Sequence, residues 1–239
     1  MVQRVGIVGA GLMGAGIAEV AAKSGADVLV WELKQEAVDA GQARIEKSLA
    51  KAVERGKLSA EDRDATLSRL SYTTNLEDFA DREMVMEAIV ENEKIKKDVF
   101  AQLDEIVEDK SAPLCSNTSS LPIQTIASAT NNPQRVLGLH FFNPVPVLPL
   151  VEVIPALTTS DEAVEKAQTF ATEKMGKTAI RAKDRSGFIV NFLLVPYMLS
   201  AIRMVEQGVA TAEDIDTGMK LGAAHPMGQI GRASCRERV

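Results

Sequence analysis

The chain has 239 residues, 46% of them hydrophobic and 25% charged, which is the balance of an ordinary globular protein with ample material for a core. The formal net charge of −6 and the pI near 5.2 argue against a nucleic-acid partner, which usually needs a basic face. Cys115 and Cys235 give no disulfide framework and no signal-peptide pattern precedes the first apolar run, so we expect a cytoplasmic protein.

Short apolar runs alternate with longer amphipathic runs over the first part of the chain. The short runs predict strands at residues 2–8, 26–31, 84–90, 113–116, 135–142, 150–154 and 178–182. The longer runs predict helices at residues 12–24, 35–55, 94–107, 121–129 and 161–175, with a further helix after the capping box at 59–62. This alternation predicts a doubly wound, mostly parallel α/β sheet.

A glycine-rich turn joins the first predicted strand to the first predicted helix. It reads GAGLMG from Gly9 to Gly14, the G-x-G-x-x-G pattern of the Rossmann fold, and Glu32 ends the next predicted strand. The first glycine permits a tight turn, Gly11 lets the backbone approach a pyrophosphate, and the third glycine lets the helix pack on the sheet. The N-terminus of the helix favours the negative charge of the phosphates.

The same turn predicts which dinucleotide is bound. Glu32 can accept hydrogen bonds from ribose hydroxyls and would repel a 2′-phosphate, so we predict NAD rather than NADP. A glycine turn without a ligand is the alternative. The predicted cofactor-binding residues of this region are Gly9, Gly11, Leu12, Met13, Gly14 and Glu32.

The character of the sequence changes near residue 185. From Gly187 onward only helical patterns follow, so we predict a Rossmann domain at residues 1–185 and a smaller, all-helical domain at 186–228. The uncharged run at 187–202 is shorter than a bilayer requires. We therefore expect a helix that is buried on most sides rather than a membrane span.

Residues 229–239 differ from the rest of the chain. They include three arginines, show no helical or strand period and, from Ile230, resemble a translated sequencing adapter. We expect a non-native tail, and the alternative is a genuine basic tail.

The chain contains two histidines, His140 and His225. His140 ends a predicted strand at the edge of the sheet where open α/β folds bind ligands. Glu152 lies in the apolar run LVEVI of the next predicted strand, and a buried carboxylate requires a partner. In one interpretation, Glu152 orients the imidazole and His140 takes a proton from a substrate hydroxyl as hydride leaves for NAD. The spacing alone fits a buried structural pair equally well.

Five further segments resemble, in order, the signatures of 3-hydroxyacyl-CoA dehydrogenases. They are SNTSS at 116–120, HFFNPVP at 140–146, LVEV at 150–153, SGFIVN at 186–191 and HPMG at 225–228. With the glycine-rich turn, the resemblance spans residues 1–228. It implies a stand-alone enzyme that reversibly oxidises (S)-3-hydroxyacyl-CoA to 3-oxoacyl-CoA with NAD. It also implies a short-chain substrate such as 3-hydroxybutyryl-CoA.

The resemblance also implies catalytic roles for individual residues. His140 matches the general base of the family and Glu152 matches its carboxylate partner. Ser119 and Asn191 match residues that hydrogen-bond the reacting oxygen, a sensible place for donors beside a developing charge. His225 is better explained as a structural residue.

Further residues match binding positions of the family. Glu91, Lys96 and Asn143 match positions along the nicotinamide and its ribose. Ser48 and Arg55 stand seven apart on one predicted helix and match a pair that contacts CoA. For Arg55 a solvated surface charge is an equally good interpretation.

In the family, the sequence continues beyond HPMG into helices that complete the acyl pocket and the dimer interface. We therefore expect this chain to be truncated and the complete protein to be a homodimer, without a metal ion and without a membrane partner. Two other functions stay open. One is a related dehydrogenase that acts on a free hydroxy acid or sugar acid, and the other is a protein that binds NAD without catalysis.

Overall fold

The computed structural model describes residues 2–231, and eight strands in this range form one sheet. They are β1 (Arg4–Val8), β2 (Asp27–Trp31), β3 (Leu70–Thr73), β4 (Met84–Glu87), β5 (Leu114–Ser116), β6 (Val136–Phe141), β7 (Leu150–Pro155) and β8 (Thr178–Arg181). The strand order is β3-β2-β1-β4-β5-β6-β7-β8. Neighbouring strands are parallel except β6 and β7, which are antiparallel.

The α-helices differ in how they begin, and side chains cap only some of them. They are α1 (Leu12–Lys23), α2 (Gln35–Glu54), α3 (Ala60–Leu67), α4 (Glu93–Ile106), α5 (Ile123–Ala127), α6 (Asp161–Thr169), α7 (Val190–Glu206) and α8 (Ala212–Gly222). Ser59, Asn92 and Ser160 precede α3, α4 and α6, and each side chain accepts a hydrogen bond from the amide three residues on. These bonds satisfy backbone donors that a helix N-terminus leaves open.

Apolar side chains of the central strands are buried because helices pack on the sheet. Val5, Ile7 and Val8 of β1 are buried, as are all residues of β6. Helix α1 packs against β1 and β2, and α6 packs against β6 and β7. The architecture confirms the predicted fold class, a doubly wound and mostly parallel sheet followed by helices.

The structure differs from the sequence prediction at three elements. The pattern does not predict β3, whose LSYT run is half-buried or exposed and becomes a strand by pairing with β2 at the sheet edge. Strand β4 stops at Glu87, before the predicted 90, because its partner β1 ends at Val8, opposite Glu87. The predicted helix at 161–175 continues after α6 as a π-helical turn, Phe170–Lys174.

The chain forms two compact units, which divide between Ser186 and Gly187. In the second unit α7 and α8 pack on each other. The expectation that the run at 187–202 is buried on most sides is wrong, since only Met198 and Ala201 of α7 are buried. Helix α8 covers only part of the apolar surface of α7. Within residues 2–231, no helix is both long enough and apolar enough to cross a membrane.

Part of the unusual C-terminal segment is ordered around Asp216. Residues 229–231 are helical although their sequence shows no helical period. The amides of Ile230 and Gly231 donate to the Asp216 carboxylate at 2.8 and 3.1 Å. The remainder of the predicted tail, 232–239, lies outside the described residues.

A buried ion pair ties α4 to the start of β6. Arg135 Nη2 lies 2.7 Å from Asp104 Oδ1, and the two side chains are 1% and 2% exposed. Asp104 Oδ2 also accepts a hydrogen bond from the amide of Asn131 at 2.8 Å. Burial alone would raise the pKa of Asp104, but the hydrogen bonds and charge of Arg135 and the Asn131 amide hold the pKa below its usual value.

Replacing Asp104→Asn leaves the Arg135 guanidinium buried without a countercharge. We expect the free energy of unfolding to fall by about 3–5 kcal/mol, as measured by urea denaturation at neutral pH. The control is Asp98→Asn, which breaks the exposed pair between Asp98 and Lys94 and should cost less than about 1 kcal/mol. Equal losses in the two variants would contradict a special role for the buried pair.

The same pair predicts how stability changes with pH. The folded pKa of Asp104 lies below its unfolded value, so its contribution is complete above the unfolded pKa of about 3.9 and is lost as the pH falls through the folded pKa. The stability difference between the unaltered chain and Asp104→Asn should therefore narrow in acid. Urea denaturation over a series of acidic pH values measures this, and a constant difference would argue against a lowered pKa.

Candidate active site

The antiparallel pairing of β6 with β7 places His140 directly opposite Glu152. His140 Nδ1 lies 2.7 Å from Glu152 Oε2, and the two residues are 5% and 0% exposed. The Phe142 ring lies against the imidazole, with 4.6 Å between the ring centroids. A carboxylate in this position favours the proton on Nδ1, so the acceptor lone pair of the neutral imidazole lies on Nε2. The pair is therefore suited to taking up a proton at Nε2.

A cavity of about 290 Å³ lies beside His140 at the carboxyl edge of the sheet. The predicted site residues that line it are Met13, Glu91, Lys96, Ser119, His140 and Asn143. They come from α1, from α4, from the end of β6 and from the segments that follow β4, β5 and β6, as expected for a ligand site of an open parallel sheet. Within residues 2–231, no cluster of His, Cys, Asp or Glu side chains could hold a metal ion.

The glycine-rich turn leaves space where a pyrophosphate is expected. Gly9 has φ of +102°, a conformation that favours glycine. A Cβ on Gly14 would overlap the Gly9 carbonyl oxygen, so a larger residue would push α1 away from β1. A Cβ on Gly11 would meet no atom within 4 Å, and no side chain caps the N-terminus of α1. The turn therefore fits a dinucleotide phosphate that approaches Gly11 and the first amides of α1.

Two side chains hold Ala10 of this turn. Glu32 Oε1 accepts a hydrogen bond from the Ala10 amide at 2.8 Å, and Arg44 Nη1 donates to the Ala10 carbonyl at 2.9 Å. Glu32 is thus fixed at the end of β2, where the adenosine ribose of a bound dinucleotide is expected. Leu12, at the start of α1, is 46% exposed beside the turn.

Glu91 binds the loop that carries Ser119. Its Oε1 accepts hydrogen bonds from the Thr118 hydroxyl, from the Ser119 and Ser120 amides at 3.2 Å each, and from Ser120 Oγ at 2.8 Å. Its Oε2 lies 3.4 Å from Lys96 Nζ. Burial alone would raise the pKa of Glu91, but the hydrogen bonds of Thr118 and Ser120 and the charge of Lys96 hold the pKa below its usual value. Glu91 is therefore a charged anchor at the cavity.

Ser48 lies at a different cavity, of about 110 Å³, which Leu12 and Asn143 also line. Glu19 of α1, a buried acid, lines the same cavity. Burial raises the pKa of Glu19 by more than the polar Ser48 side chain and the charge of Lys23 lower it. The structure thus places Ser48 beside a buried acid that the sequence pattern did not single out.

The remaining predicted residues are Arg55, Asn191 and His225. Arg55 is exposed at the C-terminus of α2. Asn191, in the second unit, is half-buried near the start of α7. The His225 ring lies 5.7 Å from the Tyr197 ring, centroid to centroid, and the His225 amide donates to the Met219 carbonyl at 3.1 Å. These contacts fit the structural interpretation of His225.

Sequence reasoning missed Glu87 and Asn117. Glu87 ends the apolar run MVME, which is the same signal that singled out Glu32 and Glu152, so the pattern could have found it. Asn117 Oδ1 accepts a hydrogen bond from the Phe141 amide at 2.8 Å and so joins the end of β5 to the end of β6. Asn117 lies in the SNTSS segment, but that segment does not reveal its contact with the Phe141 amide, which is distant along the chain.

Both units match families of known proteins. Residues 4–185 match the family described as 3-hydroxyacyl-CoA dehydrogenase, NAD binding domain. Residues 187–234 match the family described as 3-hydroxyacyl-CoA dehydrogenase, C-terminal domain. Each match follows the division between the two compact units closely.

Individual relatives agree with these matches. A 3-hydroxybutyryl-CoA dehydrogenase of Mycobacterium tuberculosis is 55% identical over 229 residues, which cover 96% of this chain and 80% of the relative. The crystal structure of M. tuberculosis FadB2 superposes with a TM-score of 0.95 at 55% identity and covers 96% of this chain and 80% of that one. The (S)-3-hydroxybutyryl-CoA dehydrogenase PaaH1 from Ralstonia eutropha superposes with a TM-score of 0.92 at 38% identity, covering 96% and 81%.

Two glycine variants should separate cofactor binding from folding. Gly11→Ala places a methyl group in open space, so we expect unchanged thermal unfolding but an NADH affinity lower by about tenfold, because the methyl group lies in the path of the pyrophosphate. Gly14→Ala should lower both the melting temperature and the affinity, because its methyl group overlaps the Gly9 carbonyl. Fluorescence titration with NADH measures the affinities, and unchanged affinity in Gly11→Ala would exclude this binding mode.

Proposed function

Because this chain belongs to the 3-hydroxyacyl-CoA dehydrogenase family, we propose that it oxidises (S)-3-hydroxyacyl-CoA, 3-hydroxybutyryl-CoA above all, reversibly to 3-oxoacyl-CoA. The chain is an NAD-dependent oxidoreductase. The observation that best supports this reaction is the 2.7 Å contact between His140 and Glu152, at a cavity that Ser119 also lines. An imidazole held by a carboxylate is suited to move the proton of a substrate alcohol.

The proton step follows from the tautomer of His140. Glu152 accepts a hydrogen bond from the Nδ1–H group, so His140 takes the proton of the substrate 3-hydroxyl at Nε2 as the carbonyl forms. When bound, NAD supplies the acceptor for the hydride that leaves the same carbon. The imidazolium formed in this step is stabilised by Glu152, because opposite charges attract strongly in a buried site. In the reverse direction the imidazolium returns the proton to the oxygen.

Binding roles extend the proposal to the other predicted residues. The Ser119 hydroxyl donates a hydrogen bond to the reacting oxygen, where it stabilises the charge that develops. Asn191 keeps the role that the family resemblance implies for it. The cofactor residues Glu91, Lys96 and Asn143 line the nicotinamide and its ribose. They complete the set formed by the glycine-rich turn and Glu32.

The proposal for CoA rests on Ser48 and Arg55. Ser48 lines the cavity that it shares with Leu12 and Asn143. Arg55, seven residues further on along the same helix face, offers an exposed cation at the end of α2. A solvated surface role for Arg55 stays equally open. We also keep the cytoplasmic location and the homodimer of the complete protein as predictions.

His140→Ala and Glu152→Gln test the mechanism. We expect either variant to lower kcat by about 10²–10⁴-fold, the first because the base is gone and the second because a glutamine disturbs the tautomer and no longer stabilises the imidazolium. The measurement is the loss of NADH absorbance with acetoacetyl-CoA as substrate. His225→Ala is the matched control, because it removes the other histidine of the chain.

The outcomes of this assay separate the candidate functions. Turnover that survives in His140→Ala would overturn the mechanism, and no turnover in the unaltered chain would contradict the proposed activity. Competition by free CoA distinguishes the substrate class, because an enzyme that acts on free hydroxy acids should not respond to it. We expect competitive inhibition by free CoA.

A further inference from the structure

Glu87 is a buried carboxylate at the centre of a hydrogen-bond network. It ends β4, its side chain is 0% exposed, and three groups donate to it. Lys96 Nζ lies 2.5 Å and the Ile89 amide 2.7 Å from Oε1, while Ser116 Oγ donates to Oε2 at 2.6 Å. A carboxylate keeps its charge in a protein interior only with donors of this number and kind.

Lys96 connects Glu87 to Glu91. The Lys96 side chain is 1% exposed, and its ammonium lies between the Glu87 carboxylate and Glu91 Oε2, which is 3.4 Å away. Glu91 is 39% exposed, so its position depends on this buried cation and on the loop that it binds. Glu87 fixes the position of the Lys96 ammonium, and the ammonium in turn attracts the Glu91 carboxylate.

Both routes from Glu87 end on the same loop. Along the first route, Glu91 accepts hydrogen bonds from the amides of Ser119 and Ser120 at 3.2 Å each. Along the second route, Ser116 Oγ donates to Glu87 and accepts a hydrogen bond from the Thr118 amide at 3.2 Å. Glu87 is thus connected to successive amides of the segment that carries Ser119.

We propose that Glu87 is a positioning residue, which fixes the loop at 117–120, and with it Ser119, through Lys96 and Glu91 on one side and through Ser116 on the other. Its effect on catalysis rests on the proposed function, in which Ser119 donates to the reacting oxygen. Glu87→Gln removes the charge that balances Lys96. The ammonium then draws the Glu91 carboxylate towards itself and away from the amides of Ser119 and Ser120.

Hydrogen exchange of backbone amides tests the positioning directly and without turnover. In Glu87→Gln we expect exchange in a peptide spanning 117–123 to be about tenfold faster, since a hydrogen bond to a charged acceptor contributes roughly this factor in protection, while exchange in β1 stays unchanged. The matched control is Asp104→Asn, which also removes a buried acid with a buried basic partner, here Arg135. The Asp104 carboxylate accepts a hydrogen bond from the Asn131 amide and so holds a different segment. The control variant should produce no selective change at 117–123.

A double-mutant cycle on kcat tests the link to Ser119. We expect Glu87→Gln to lower kcat by about 10–100-fold in the unaltered chain, which is the range known for residues that orient a catalytic group. In the Ser119→Ala background, the same substitution should lower kcat by less than about twofold. A purely structural role for Glu87 would lower kcat by the same factor in both backgrounds.

The outcomes distinguish the two proposals. Unchanged exchange at 117–123 in Glu87→Gln would overturn the role of Glu87. A uniform increase in exchange across the chain would do the same, because it is the mark of a merely destabilised variant. So would an equal loss of kcat from Glu87→Gln in the unaltered chain and in Ser119→Ala. If the unaltered chain fails to turn over acetoacetyl-CoA, the proposed function fails. Hydrogen exchange then still decides whether Glu87 positions the loop.

Discussion

A carboxylate loses so much hydration in a protein interior that it remains there only with donors around it. Glu152 and Glu87 are both 0% exposed, and their partners are the imidazole of His140 and the ammonium of Lys96. Both acids lie on strands inside the sheet, so the partner comes from the adjacent strand or from the helix that follows. This requirement sets the orientation of His140 and Lys96 before any ligand binds.

The strand order explains why these groups meet the glycine-rich turn. From β1 the chain continues to β2 and β3 on one side of the sheet and then crosses to β4 on the other side of β1. The segments after β1 and β4 leave in different directions at such a point, and a crevice forms between them. They are also close, because a Cβ on Gly9 would lie 2.7 Å from the Ala88 carbonyl oxygen. The cofactor turn and the Glu87–Glu91 segment therefore border the same crevice.

The antiparallel strand β7 completes the site. A short connection reverses the chain after β6 and so brings Glu152 opposite His140. A parallel pair of strands would need a longer crossover connection. The connection is held from a distance, since Lys177 Nζ donates to the carbonyls of Val145 and Leu148 at 2.5 and 2.8 Å. Burial lowers the pKa of Lys177. The geometry of the His140–Glu152 pair thus depends on contacts from the far edge of the sheet.

The sequence by itself determined the fold class and most of the candidate site, because those signals are local. The glycine-rich turn and Glu32 belong to one strand-helix-strand unit, and His140 and Glu152 lie twelve residues apart in one hairpin. Only the tertiary structure decided the edge strand β3, the antiparallel β7 and the exposure of α7, because these depend on which element packs beside another. The contact of Glu87 with Ser116 joins residues 29 positions apart on neighbouring strands, so it follows from strand order rather than from any local pattern.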